Sequence, residues 1–335
     1  MAVDKKMKIL VTGGCGFIGH HIVEHIIKTT DWNIIIFDKL TYASVGFDRL
    51  RDISCFDNKR IKVLTVDFTQ PISTGVDKET GEINYILHLG AETHVDRSIE
   101  NAEPFVRTNV LGTMHLLNYA RTIQGLKRFL YFSTDEVFGA APIGISYKEW
   151  DRYNSGNPYA ATKAGGEELC LSYSNSYNLP VIITHTMNCG GERQHPEKFI
   201  PSTIKKVYLG ETVIIHSNKT KTKSGSRFYI HARNVADAIL FLLHKGEIGD
   251  KYNIVGEKEI PNLELAQMIA KFVGKPLKYE MVDFHSSRPG HDLRYALDGT
   301  KLAKMGWLIP RKTEEWLKKT IEWSLRPENR HWLGF

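Results

Sequence analysis

One hydroxyl and two adjacent carboxylates are the first residues in this sequence that could do chemistry. They lie in Phe132-Ser133-Thr134-Asp135-Glu136-Val137-Phe138-Gly139. The apolar run Phe129–Phe132 leads into them and reads as a buried strand. Two acids at an apolar strand end are costly unless they are used or well bonded, although a solvated loop would also carry them. As chain neighbours they can reach different atoms of one substrate, one protonated and the other ionised. That suits loss of water beside a ketone: a base takes the acidified C–H and an acid protonates the departing hydroxyl. A second pair lies in Tyr159-Ala160-Ala161-Thr162-Lys163. Four residues apart, Tyr159 and Lys163 share one helix face. A phenol of pKa about 10 is a poor base, but a nearby ammonium favours the phenolate. The pair can then take a proton from a hydroxyl while hydride leaves. Thr134 can hydrogen-bond the same oxygen. Alone, Y-x-x-x-K is also what an ordinary helix surface shows, so its weight depends on the residues before it.

Those residues form a dinucleotide pattern. Met7–Val11 is β-like, and Ile18, Ile22, Val23, Ile26 and Ile27 repeat at helical spacing. Between them, Thr12-Gly13-Gly14-Cys15-Gly16-Phe17-Ile18-Gly19 places Gly13, Gly16 and Gly19 where a backbone must turn tightly against a pyrophosphate at a helix N-terminus. Asp38 ends a second strand, Asn33–Asp38, and can accept both ribose hydroxyls. It would repel a 2′-phosphate, so the expectation is NAD rather than NADP, with Lys39 a mild counter-signal. A third strand, Ile61–Val66, ends at Asp67, which either meets the adenine edge or serves as a turn or cap residue.

The elements that must position these groups follow in order. Asp77–Glu82 reads as a polar turn and Asn84–Leu89 as a fourth strand, with His88 a satisfied core histidine. The charged stretch Gly90–Ser98 reads as a site loop. Val106, Val110, Met114 and Leu117 mark one helix; Ala164, Leu169 and Leu171 mark another after Tyr159. Both stripes fit core packing or a second subunit. Arg128–Ser133 and Val181–Thr184 are the fifth and sixth strands. The sum is an α/β chain, a Rossmann-type doubly wound parallel sheet with a smaller α/β C-terminal substrate-binding domain. From Asn188 the pattern turns irregular, so the boundaries are 1–187 for NAD and 188–335 for substrate, with a strand near 251–255 rejoining the sheet. Asn262 is expected to cap a helix over Leu263–Phe272, and Trp316, Leu317, Thr320, Ile321 and Leu325 stripe a last one.

With 335 residues, 42% hydrophobic and 24% charged, the composition is that of an ordinary globular protein. Met1–Lys8 is polar, so no signal peptide is expected, and no apolar run approaches a membrane span. Cys15, Cys55, Cys170 and Cys189 show no framework spacing, which fits reduced thiols and a cytoplasmic location. A net charge of +6, densest at Lys219-Thr220-Lys221-Thr222-Lys223, is too small a patch for nucleic acid and reads as a solvated loop. His21 and His25 lack a third ligand, so no metal is expected.

Taken together, the sequence resembles the dTDP-glucose 4,6-dehydratase family of extended short-chain dehydrogenases, which acts on nucleoside-diphosphate glucose. The resemblance runs over nearly the whole chain: Thr12–Gly19, Asp38-Lys39-Leu40-Thr41-Tyr42-Ala43, Gly90–Ser98, Thr108–Thr113, Ser133–Gly139, Pro158–Lys163, Pro196–Pro201 and Arg288-Pro289-Gly290-His291-Asp292-Leu293-Arg294-Tyr295. An epimerase relative would lack the acid pair after Thr134. The resemblance implies a cycle in which Tyr159, helped by Lys163 and Thr134, deprotonates the C4 hydroxyl as hydride passes to NAD. Glu136 then takes the C5 proton, Asp135 protonates the leaving C6 hydroxyl, and the hydride returns to C6. It implies NAD contacts from Gly13, Gly16, Phe17, Ile18, Gly19, Asp38, Lys39, Thr41, Asp67, Phe68, Leu89, Ala91, Tyr159 and Lys163. For the nucleotide sugar it implies His94, Thr134, Asn188, Lys198, Arg227 and Arg294, and for assembly a homodimer. Where the family reads Asn-Asn-Tyr-Gly-Pro, this chain has Asn188-Cys189-Gly190-Gly191-Glu192, which is expected to alter the floor of the nucleotide pocket and hence the choice between dTDP and UDP. The rival readings are a nucleotide-sugar 4-epimerase and a non-catalytic NAD-binding regulator.

Overall fold

The computed structural model describes residues 6–283 and 293–335. Strands β1 (Lys8–Thr12), β2 (Asn33–Asp38), β3 (Ile61–Thr65), β4 (Tyr85–His88), β5 (Arg128–Thr134) and β6 (Val181–Thr186) all run parallel. The late Lys251–Ile254 strand joins beside β6, giving the order Lys251–Ile254, β6, β5, β4, β1, β2, β3. The runs are apolar because helices cover both faces: β6 is buried throughout, as are Ile34–Phe37 of β2. On one face α1 (Phe17–Thr29) and the Ala232–Lys245 helix bring Ile22, Ile26, Val235 and Ile239 against Ile9, Val11 and Ile36. On the other, Leu116, Leu117 and Cys170 pack on Leu10, Phe129 and Tyr131. A further core around Ile200, Ile204, Leu265, Ile269, Trp316 and Ile321 joins the Phe199–Leu209, Asn262–Val273 and Thr313–Ser324 helices.

Strand order reverses between β1 and β4, and a crevice opens at the carboxyl ends there. Thr12 ties the two strands together: its hydroxyl meets His88 Nδ1 at 2.8 Å and accepts from Gly90 N at 2.9 Å. His88 is therefore a core histidine, its Nε2 bonded to Thr113.

Several local expectations are corrected. Asp77–Thr80 belongs to a helix, Thr74–Thr80, because Ser73 caps it through Val76 N and Gly81, at φ 64°, ends it. The end of the Gly90–Ser98 loop is also helical: Val95–Glu100 starts at His94, whose side chain accepts from Arg97 N. Asn262 does not cap its helix; its amide oxygen accepts from Tyr229 instead. The buried face of the Pro158–Tyr177 helix is Tyr159, Lys163, Gly166, Glu167 and Cys170, which leaves Ala164, Leu169 and Leu171 half-buried. Val106 is 48% exposed, at the start of a π-helical segment, Val106–Gly112.

Candidate active site

The crevice is a cavity of ≈ 370 Å³ walled by the glycine turn, the ends of β2 to β6 and the segment after β6. Its cofactor half is built from close backbone packing. A Cβ on Gly19 would lie 2.1 Å from Gly13 O, and Gly13 itself sits at φ +71° against the Gly90 backbone. Only glycine fits that crossing. Phe17, Ile18 and Gly19 line the cavity at the first turn of α1, which carries no acidic residue, so its N–H groups can receive an anion. Asp38 is buried at the wall, each carboxylate oxygen held by one backbone donor, Cys15 N at 3.0 Å and Leu40 N at 2.8 Å. That fixes the carboxylate while lone pairs remain for a ribose. Asp67 is a turn residue that accepts from Thr69, and it also lines the cavity, where Lys39 Nζ lies 2.8 Å away. All the NAD candidates line this one cavity. An adenosine–diphosphate–nicotinamide group matches the donors and acceptors present, and NAD is the cofactor these residues fit.

The chemical half begins where β5 ends. Thr134 accepts from Glu136 N at 3.3 Å, starting a 3-10 turn over Asp135–Phe138. Gly139 ends that turn at φ +72°, where a Cβ would meet Asn154 O at 2.2 Å. The turn separates the two acids. Asp135 is 4% exposed, with Oδ1 bonded to Thr134 and, among the described residues, no hydrogen-bond partner for Oδ2. Burial, then the Glu136 charge, pushes its carboxyl up to about 7. Glu136 is half-buried and accepts from Asn157 Nδ2 at 3.1 Å. Asn157 also caps the Pro158–Tyr177 helix through Ala160 N, so one side chain joins the acid turn to the helix bearing Tyr159 and Lys163. Gly166 lets that helix lie on β5: a Cβ there would stand 2.2 Å from the Tyr131 hydroxyl. Burial, then Glu136, raises the Tyr159 phenol, while a Thr134 hydrogen bond pulls it back. Burial pushes Lys163 down to about 8, opposed by Glu167.

Not every expected residue reaches the cavity. Asn188 and Lys198 line it; His94, Arg227 and Arg294 do not. Arg294 pairs with Glu259 at 2.8 and 2.9 Å and donates to the carbonyls of Pro142 and Ile145, so its guanidinium is spent on the fold. Arg227 donates to the carbonyls of Ser226 and Leu293, though its charge reaches Asp135. His94 sits 3.7 Å from Glu197, which in turn adjoins Lys198. The Arg288-Pro289-Gly290-His291-Asp292 block lies outside the described residues. In the unusual Asn188–Glu192 segment only Asn188 and Cys189 wall the cavity. Gly190 packs against Ile200 and Trp316, and Glu192 turns away to Arg233 and His231. Of the five residues of that segment, Cys189 is the departure from the family pattern whose own atoms line the cavity. The sequence did not single out Asn157, Asn109 or Arg49. Asn109 holds Glu92 through both backbone groups from the π-helical turn. Arg49, 1% exposed, donates to the carbonyls of Cys15, Ala43, Ser44 and Arg193, tying the glycine turn to the segment after β6. A capping-type Asn before Pro158 was the one signal available for Asn157.

His21 bonds Glu192 O, and among the described residues no group of three or more His, Cys, Asp or Glu could hold a metal ion. Lys219–Lys223 is exposed. Among the described residues no helix is long and apolar enough to cross a membrane.

Residues 9–255 match the model of the NAD dependent epimerase/dehydratase family. A dTDP-glucose 4,6-dehydratase of Haemophilus influenzae is 36% identical, over 95% of this chain and 98% of that protein. A trifunctional UDP-glucose 4,6-dehydratase/UDP-4-keto-6-deoxy-D-glucose 3,5-epimerase/UDP-4-keto-L-rhamnose-reductase of Arabidopsis thaliana is 36% identical over 98% of this chain, which spans only 48% of that longer protein. The crystal structure of a dTDP-glucose 4,6-dehydratase from Streptomyces venezuelae, with NAD and TYD bound, superposes with a TM-score of 0.86 at 34% identity, covering 97% of this chain and 98% of that one. The glycine turn, Asp38 and the Tyr159–Lys163 helix around one crevice agree with these matches, and the chain belongs to the NAD dependent epimerase/dehydratase family, within its dTDP-glucose 4,6-dehydratase group.

Proposed function

We propose that the protein is a nucleoside-diphosphate-glucose 4,6-dehydratase, a hydro-lyase that converts dTDP-glucose or UDP-glucose to the 4-keto-6-deoxyglucose nucleotide and water. The observation that carries this reading is the inequality of the acid pair. Asp135 is buried, keeps an oxygen without a hydrogen-bond partner among the described residues and has its carboxyl raised to about 7, so it can hold a proton at neutral pH. Glu136, more open and held by Asn157, is the natural base. Tyr159 takes the proton of the C4 hydroxyl, Thr134 holds the same oxygen, and Lys163 supplies the charge that favours the phenolate. NAD, when bound, accepts the C4 hydride and gives it back at C6. The C4 ketone acidifies C5; Glu136 removes that proton, Asp135 protonates the C6 hydroxyl, and water leaves. C5 is reprotonated as C6 is reduced, so the cycle is redox-neutral.

Asn188 and Lys198 hold the nucleotide diphosphate, and Arg227 acts from behind on Asp135. Residues 1–187 with the Ala232–Lys245 helix and the Lys251–Ile254 strand form the NAD-binding part; the rest of 188–335 binds the nucleotide sugar. The half-exposed Val106, Val110 and Met114, with Leu169 and Leu171, form the helical surface for a homodimer. All four cysteines are free, which supports a reducing, cytoplasmic compartment.

The test is mass spectrometry after incubation with UDP-glucose and dTDP-glucose in turn, without added reductant. Loss of one water is the expected result, and the ratio of rates assigns the nucleobase. An unchanged mass with conversion to the galactose isomer would make the protein an epimerase. An unchanged substrate despite bound NAD would favour a regulator.

A further inference from the structure

A buried ionic network lies beneath the catalytic turn, and none of the steps above uses it. Its centre is Glu167, 0% exposed, one helical turn after Lys163. One carboxylate oxygen accepts from the Ser133 hydroxyl. The other accepts from the Tyr153 hydroxyl and lies 3.0 Å from His185 Nε2 and 3.7 Å from Lys251 Nζ. His185 is in turn 3.0 Å from Asn253. The partners come from β5, β6, the Lys251–Ile254 strand and the segment before the Pro158–Tyr177 helix. A carboxylate buried this deeply is costly to keep, and its hydrogen bonds and cations are what keep it ionised.

Two of its neighbours are one step from the chemistry. Ser133 immediately precedes Thr134 on β5. Lys163 is 3% exposed, with its ammonium 4.2 Å from the centre of the Tyr131 ring. The titratable groups around that ammonium are Tyr159, Glu167 and Cys170 on its own helix, Tyr131 on β5 and His88 on β4. Burial keeps the Cys170 thiol and the Tyr131 phenol protonated and His88 uncharged, so Glu167 is the anion among them. Burial draws Lys163 down to about 8, and Glu167 leads the opposing causes.

Accepting that Tyr159 and Lys163 carry out C4 oxidation, we propose that Glu167 is a positioning residue that serves the site from behind: its carboxylate keeps Lys163 an ammonium and, through Ser133, fixes the end of β5 from which Thr134, Asp135 and Glu136 project.

The test follows Lys163 itself, by nitrogen NMR of labelled lysine in the NAD-bound protein without substrate, the signal assigned by its loss in Lys163→Met. A negative charge favours the ammonium, so removing the Glu167 carboxylate, buried one helical turn from Lys163, lowers the Lys163 midpoint in Glu167→Gln, by about one pH unit. The alkaline limb of C4 oxidation, read as formation of reduced nicotinamide, moves down with it, while KM for the nucleotide sugar stays near the parent value. Ser133→Ala retains the charge, so the Lys163 midpoint stays, while kcat falls about tenfold as the turn loses its anchor. An unmoved midpoint in folded Glu167→Gln overturns the proposal, as does a parental kcat in Ser133→Ala. Where Glu167→Gln fails to fold, Glu167→Asp replaces it: the midpoint is expected to hold and kcat to fall, and a midpoint that drops as if the charge were gone counts against the proposal. The NMR midpoint is read without turnover. Failure of the dehydratase assignment would instead show as a parent enzyme that loses no water from either sugar nucleotide.

Discussion

Asp135 and Glu136 are adjacent in the chain yet differ in environment, and that difference makes separate predictions for each. Glu136→Gln leaves Tyr159 and Lys163 intact, so reduced nicotinamide should still form on adding substrate, seen by fluorescence, while water loss slows by about 10²–10⁴-fold. Dehydration at the parent rate would remove Glu136 as the base. In the proposed cycle Asp135 donates a proton, and burial pushes its carboxyl up to about 7, so the elimination step should weaken as pH rises through that value. The same shift has a consequence for stability. Between the unfolded value near 4 and the folded value near 7, the unfolded chain gives up this proton while the folded chain keeps it. The folded state binds the extra proton, so its stability falls as pH rises through that window. Asp135→Asn should therefore abolish dehydration and yet stabilise the fold at neutral pH by roughly 2–4 kcal/mol, read by denaturant titration.

The Pro158–Tyr177 helix owes its place to Asn157 at its start and Gly166 in its middle. Asn157→Ala removes the cap and the Glu136 partner together. It should cost about 1 kcal/mol of stability, and slow elimination more than C4 oxidation, because Glu136 is the group released. Equal slowing of both steps would place Asn157 in the fold alone. The turn before α1 permits a stricter test. Gly19→Ala would put a Cβ 2.1 Å from Gly13 O, so NAD binding should be lost, as measured by equilibrium dialysis. Retained affinity would show that the turn rearranges freely.

For the molecule as a whole, the cofactor crevice joins sheet, glycine turn and the segment after β6 through contacts such as those of Arg49. A ligand that fills it stabilises the folded state by mass action. Adding NAD should raise Tm in a concentration-dependent way, and NADP should not, because the Asp38 carboxylate at the cavity wall would repel a 2′-phosphate. Equal shifts with both would overturn the NAD assignment.

The sequence by itself determined what depends on short-range pattern: the six strand runs, the glycine turn with Asp38 behind it, and the Tyr159–Lys163 and Asp135–Glu136 pairs. Continuous apolar runs, helical period and the steric needs of a tight turn all act within a few residues, so they are written locally. What tertiary structure decided depends on burial and on partners distant in the chain. Arg294 is a candidate for the diphosphate by resemblance, and only the fold shows that its guanidinium is bonded by Glu259 and the carbonyls of Pro142 and Ile145. That Gly190 packs on Trp316 and Glu192 pairs with Arg233 could not be read from the segment that carries them. Asp77–Thr80 read as a turn because a short capped helix of polar residues has no apolar period to reveal it. The roles proposed for the acid pair came last, because the burial that raises the Asp135 carboxyl comes from the fold and not from its chain neighbours.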